Sequence, residues 1–169
     1  YSASGEGTTV TIIDNGISDP EAGHPDLKFA IKAVAENGSV TTGTLGQPTE
    51  LAHGEHVAGT ATGAANPAGD VPRYGVAPNA SLINIKVGER KSIAVEDLLA
   101  SVEFAVEQDS DVASLSLGLP IENPGDSVLE LLMGQQAQTA LAAGTVVYGK
   151  TRNEGPCHAR GPGRPPGAG

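Results

Sequence analysis

Short apolar runs alternate with amphipathic segments along most of the chain. Apolar runs predict four strands, at residues 10–13, 29–34, 111–117 and 145–148, and alternating apolar and polar residues predict a fifth at 80–87. The spacing of apolar residues predicts three helices, at 55–63, at 95–106 and from a capping box at 127–130 to a terminating Gly144. Alternating strands and helices are typical of an open, mostly parallel, doubly wound α/β sheet with helices on both faces. Such sheets carry their functional groups at the carboxyl ends of the strands.

Composition narrows the possible partners. The 169 residues carry a net charge of −10, which argues against nucleic acid and favours a self-repelling monomer. No apolar run approaches the length that spans a membrane, so we expect no membrane partner. The single cysteine, Cys157, excludes an internal disulfide. We expect one domain over residues 1–156, followed by an irregular tail rich in Gly, Pro and Arg at 157–169.

Two side chains at predicted element ends could form a reactive pair. Asp14 follows the first apolar run, and His53 precedes the first helix. A carboxylate at a strand end and an imidazole at a helix start can meet at the carboxyl edge of a parallel sheet. Other interpretations stay open for the same residues. Asp14 could be a turn residue before Asn15 and Gly16, and His53 with His56 could bind a metal, although no third ligand is obvious nearby.

Five short motifs follow one another along the chain: IDNG at 13–16, HGEHVAGT at 53–60, YGVAPNA at 74–80, SLGLP at 116–120 and NEGP at 153–156. Together, in this order, they resemble the subtilisin-like serine peptidases, the subtilase family, over residues 7–156. The resemblance implies that Asp14 orients His53 and that His53 acts as general base and then general acid. It also implies that Asn153 donates to the oxyanion hole.

The same resemblance implies a substrate and a location. Ser116, Leu117 and Gly118 would pair with an extended polypeptide substrate as an added strand. The protein would be a secreted, extracellular endopeptidase that works without a cofactor. Calcium is possible in the family, but no clear site is present here. The nearest acidic cluster is Asp19, Glu21 and Asp26, for which a solvated loop is the simpler interpretation.

The chain departs from the family pattern most clearly in its nucleophile. The family places its serine well downstream of the oxyanion asparagine, whereas no serine follows Ser127 here. We therefore expect this chain to be the N-terminal part of a catalytic domain and to be inactive by itself. The alternative is a catalytically dead remnant or a peptide-binding pseudoenzyme. A nucleotide-binding domain is disfavoured, because no Gly-x-Gly-x-x-Gly turn follows the first strand.

Smaller departures lie around the expected site. Asn15 and Glu55 stand where the family usually has threonine, and Glu55 adds a negative charge close to His53. Arg152 stands where small residues line the substrate pocket. In residues 155–169, 13 of 15 are Gly, Pro, Ala or Arg. We expect either a shifted reading frame after Pro156 or a flexible linker.

Overall fold

A computed structural model describes residues 4–17, 25–43, 53–88, 93–117 and 126–149, with the backbone alone described for 126–130. The elements are β1 (Thr9–Asp14), β2 (Phe29–Glu36), β3 (Ser39–Thr42), α1 (His53–Thr62), β4 (Ser81–Val87), α2 (Val95–Glu107), β5 (Val112–Leu115), α3 (Asp126–Ala142) and β6 (Val146–Gly149). The predicted strands and helices are therefore present, with bounds that differ by a few residues.

The strands form one sheet in the order β3-β2-β4-β1-β5-β6. Every neighbouring pair is parallel except β2 with β3. The prediction of a mostly parallel α/β sheet is confirmed. β1 lies between β4 and β5, so that Ile12 is in register with Asn84 on one side and Ser114 on the other. This central position places the carboxyl end of β1 in the middle of one sheet edge.

The antiparallel strand β3 was missed by the sequence prediction, which also ended β2 two residues early. A hairpin turn at Asn37 and Gly38 joins the two strands, and both residues have positive φ angles of 53° and 71°. This Asn-Gly pair is the preferred sequence for a tight hairpin turn and could have revealed the strand. The Gly38 N–H also donates to the Asp97 carboxylate of α2 at 2.8 Å, which holds the turn against that helix.

The core has one apolar layer on each face of the sheet, because side chains alternate along each strand. One layer packs against α2 and α3 and includes Ile13, Ile83, Ile85, Leu98, Val102 and Ala140. The other packs against α1 and includes Val10, Ile12, Ile17, Leu27, Ala58 and Leu82. Helices therefore cover both faces, as the pattern predicted.

The last helix differs from its prediction in the residues that it buries. Leu131 and Leu141, two of the apolar residues whose spacing predicts this helix, are each 61% exposed, whereas Ala140 is buried. The predicted end is confirmed, since Gly144 has a φ of 103° and the Thr145 N–H donates to the Ala140 carbonyl at 2.9 Å. These contacts are those of a Schellman motif.

Candidate active site

The carboxyl end of β1 brings Asp14 against His53, the first residue of α1. The Nδ1 atom of His53 lies 2.8 Å from Asp14 Oδ1 and 3.0 Å from Asp14 Oδ2. The Asp14 side chain is fully buried, whereas 44% of the His53 side chain is exposed. The two residues that the sequence suggested as a pair are therefore in direct contact.

The contact fixes which imidazole nitrogen carries the proton. An ionised carboxylate can only accept hydrogen bonds, so His53 Nδ1 must be the donor. In the neutral ring this leaves Nε2 as the acceptor. The His53 side chain makes no other hydrogen bond within the part of the chain that the structure describes. The arrangement presents an oriented basic nitrogen on a ring that solvent reaches.

Backbone contacts hold the start of α1 onto the loop after β1. The Asn15 N–H donates to Asp14 Oδ1 at 2.7 Å, and the Asn15 Oδ1 accepts the Gly54 N–H at 3.0 Å. A Cβ at Gly54 would lie 2.3 Å from the Gly16 carbonyl oxygen, so only glycine allows this approach. Asn15, which stands where the family usually has threonine, therefore caps a helix N–H beside the site.

The next two polar residues of α1 have different surroundings. Glu55 is 9% exposed and lies in the first turn of the helix, where a negative charge is favoured by the helix dipole. His56 is exposed. Among the described residues, no group of three or more His, Cys, Asp or Glu side chains could hold a metal ion.

The other predicted site residues are placed only in part. Ser116 and Leu117 are half-buried and directly follow β5, whose ladder pairing with β1 and β6 ends at Leu115. They lie at the same sheet edge as Asp14. Gly118 and Asn153 lie outside the described residues. The structure thus gives no position for the predicted oxyanion donor.

The amino edge of the sheet has its own polar centre, at Asp26. One carboxylate oxygen accepts the Ala68 N–H at 2.8 Å, and the other accepts the Tyr74 hydroxyl at 2.8 Å. Burial, and then the bond to Asp26 and its negative charge, raises the pKa of Tyr74 above its ordinary value. Asp19 and Glu21, the other members of the acidic cluster noted in the sequence, lie outside the described residues.

A cavity of about 570 Å³ lies beside Asp26 and is also lined by Glu6, Lys28, Thr62 and Asn79. Glu6 precedes β1 and Thr62 ends α1, so the cavity is at the opposite edge from the Asp14–His53 pair. It contains neither of those residues. The carboxyl edge, where an oriented base is present, is therefore the better candidate for catalysis.

Comparison with known sequences agrees with the motifs. The model of the subtilase family matches residues 5–155. The chain is 36% identical over 163 residues to the minor extracellular protease Vpr of Bacillus subtilis, covering 90% of this chain and 18% of that protein. It is 35% identical over 152 residues to subtilisin DY of Bacillus licheniformis, covering 89% and 49%. It is 33% identical to an intracellular serine protease of Paenibacillus polymyxa, covering 89% and 43%.

Solved structures show the same fold. Sphericase superposes with a TM-score of 0.64 at 22% identity, covering 88% of this chain and 47% of that one. The MycP1 structure without its propeptide gives a TM-score of 0.61 at 23% identity, covering 91% and 45%. The chain spans less than half the length of these curated relatives and of both structures.

Proposed function

The chain belongs to the subtilase family, and we propose that it forms the part of a serine endopeptidase that carries the aspartate and histidine of an Asp-His-Ser triad. The observation that carries the proposal is the contact of a buried carboxylate, Asp14, with Nδ1 of a half-exposed imidazole, His53. Such a contact holds the ring in one tautomer and stabilises its protonated form during the reaction.

The proposed reaction is peptide-bond hydrolysis by acyl transfer. His53 Nε2 accepts the proton of a serine hydroxyl while the serine oxygen attacks the substrate carbonyl carbon. The protonated ring then donates to the leaving amine, and a water molecule repeats the sequence to release the acid. Asp14 stays ionised throughout and keeps Nδ1–H aligned. Asn153 would donate to the oxyanion, and residues 116–118 would pair with the substrate backbone.

No serine follows Ser127 in the sequence, so we propose that the nucleophile lies outside these 169 residues. The chain alone is then expected not to hydrolyse peptides. The second candidate, a peptide-binding pseudoenzyme, keeps the fold and the binding edge without turnover. We further propose an extracellular monomer with no required cofactor. The named relatives include both an extracellular and an intracellular protease. None of the helices in the described ranges could cross a membrane.

The test uses the complete gene product that contains these residues. We expect it to hydrolyse a peptide substrate and to react covalently with a serine-directed phosphonate. His53→Gln should lower kcat by about a million-fold, the loss established for the histidine of subtilisin. His56→Gln, one helical turn away and exposed, is the matched control and should lose far less.

Three outcomes would count against the proposal. Activity that survives His53→Gln would remove His53 from the mechanism. Hydrolysis and phosphonate labelling by the 169-residue chain itself would show that the nucleophile is inside it. A complete product that binds peptides but never cleaves them or reacts with the phosphonate would favour the pseudoenzyme.

A further inference from the structure

One buried polar side chain near the site has no hydrogen-bond partner among the residues that the structure describes. Asn84 lies in the middle of β4 and is 0% exposed. Neither its Oδ1 nor its Nδ2 makes a hydrogen bond within the part of the chain that the structure describes. Burying an amide without partners costs several kcal/mol, and the flanking Ile83 and Ile85 show that aliphatic side chains suit this strand. The unpaired Asn84 amide therefore points to a small polar molecule bound beside it.

Asn84 and Asp14 lie on the same face of the sheet. Leu82, two residues before Asn84, and Ile12, two residues before Asp14, both belong to the apolar layer under α1. Ile12 is in direct register with Asn84. With strands about 4.8 Å apart and a two-residue step of about 6.6 Å, the Cα atoms of Asn84 and Asp14 are about 8 Å apart. One water molecule with two hydrogen bonds spans about 5.6 Å, which suits two side chains that extend from these positions.

The Asp14 carboxylate has room for another donor. Its Oδ1 atom accepts the Asn15 N–H and contacts His53, while Oδ2 contacts only His53 Nδ1 at 3.0 Å among the described residues. A carboxylate offers about four acceptor positions in total. Lys32, in register with Asn84, and Lys86, in register with Asp14, have interactions of their own, as does Glu55. The Asn84 side chain makes no hydrogen bond among the described residues.

We propose that Asn84 is a positioning residue for Asp14 and acts through a buried water molecule that both side chains bind. The water donates one proton to Asp14 Oδ2, and its oxygen accepts a proton from Asn84 Nδ2. This contact limits rotation of the carboxylate and so keeps His53 Nδ1–H on its acceptor. The catalytic consequence rests on the proposed function, whereas the water site does not.

The first experiment is NMR on the complete, isotope-labelled gene product. We expect a cross-peak between long-lived water and the Asn84 side-chain amide protons. Its absence, with those protons assigned, would overturn the proposal, and this measurement needs no variant. The second readout is the His53 Nδ1 proton, whose exchange with solvent should quicken about five- to tenfold in Asn84→Leu. Asn84→Ser, which can still hold water, should restore the wild-type rate.

Thr11→Val is the matched control. Thr11 is equally buried, on the neighbouring β1, and its hydroxyl bonds Ser110 at 2.5 Å. Thr11 alternates with Ile12, so it faces the opposite layer from Asn84. Thr11→Val should lower stability and leave the solvent-exchange rate of the His53 Nδ1 proton unchanged. If the role of Asn84 is merely structural, both variants lose stability and keep the wild-type exchange rate of the His53 Nδ1 proton. That result would refute the proposal.

Enzyme kinetics provide a separate test of the catalytic consequence. In Asn84→Leu, kcat should fall by up to about 100-fold with KM unchanged, as expected for a misplaced catalytic group. An unchanged kcat together with faster exchange of the His53 Nδ1 proton would refute the catalytic consequence but would still support the water site. If the complete product has no peptidase activity at all, the two NMR readouts still decide the water site.

Discussion

Asp14 at the carboxyl edge of the sheet and Asp26 at the amino edge each hold two hydrogen-bond donors on one carboxylate. Asp14 holds the Asn15 N–H and the His53 ring, while Asp26 holds the Ala68 N–H and the Tyr74 hydroxyl. The rings they orient are similarly exposed, at 44% for the His53 side chain and 38% for Tyr74. The difference therefore lies in chemistry rather than in access to solvent.

The comparison shows what makes an oriented ring reactive. An imidazole has two nitrogens, so the bond to Asp14 leaves His53 Nε2 available as a base. A phenol has one polar atom, and in Tyr74 that atom is used by Asp26. The Tyr74 ring also packs on the end of α1, since a Cβ would lie 3.3 Å from its Cε2 atom at Gly59 and 2.2 Å from it at Gly63, the residue after the helix. The hydrogen bond between Tyr74 and Asp26 at the amino edge, here called the clasp, is therefore structural, while the carboxyl edge is a candidate catalytic centre.

The sharpest test of this difference exchanges each aspartate for asparagine in the complete gene product. Asp14→Asn should lower kcat by about 10,000-fold, the loss known for this change in a serine protease that carries the same triad on an unrelated fold, because the amide can stabilise the wrong tautomer. Asp26→Asn should leave kcat nearly unchanged and lower the melting temperature. Steady-state kinetics and thermal melts measure both. Equal kinetic losses in the two variants would end the distinction between the edges.

A smaller effect is expected from the contact that presses α1 onto the β1 loop. Gly54→Ala places a Cβ 2.3 Å from the Gly16 carbonyl oxygen and should destabilise the protein by about 1–3 kcal/mol while displacing His53. Gly134→Ala is the control, because a Cβ there meets nothing within 4 Å. It should stabilise α3 by up to about 1 kcal/mol. Denaturant melts give both values, and a neutral Gly54→Ala would show that the close approach is dispensable.

The smallest effect concerns the clasp and its dependence on pH. Tyr74→Phe removes the hydroxyl that Asp26 accepts and should cost about 1 kcal/mol at neutral pH. The folded-state pKa of Tyr74 is raised, so this contribution is present below the ordinary pKa of 10.0 and is lost as pH rises through the folded-state value. Melts across the alkaline range should show a steeper decline for the wild type than for Tyr74→Phe. Parallel declines would mean that Tyr74 does not titrate in the fold.

Much of the architecture could be predicted from local patterns. The strand β1 contains a short apolar run, β4 alternates apolar and polar residues, and an Asn-Gly pair marks the turn after β2. The α3 leucines could not be assigned correctly, because helical spacing shows which residues share a face but not which face meets the sheet. Leu131 and Leu141 are exposed for that reason, and Ala140 fills the contact.

The candidate site, like the fold, was predicted from the sequence only in part. Motifs indicated Asp14 and His53, and their contact is present in the structure, while their catalytic roles remain predictions. The helix-capping role of Asn15 could not be recognised in advance, since it depends on Gly54, 39 residues away. The unpaired amide of Asn84 could not be recognised either, since it depends on how β4 packs beside β1. The roles of Ser116, Leu117, Gly118 and Asn153 also remain predictions.

The sequence by itself determined the family, the order of strands and helices, and the two residue types that form an oriented base. Local apolar spacing and short motifs suffice for these, because they depend on neighbours along the chain. The motifs also indicated that Asp14 meets His53 across 39 residues. Only the tertiary structure decided that Asp26 bonds Tyr74, because these residues lie 48 positions apart and no motif or local pattern links them.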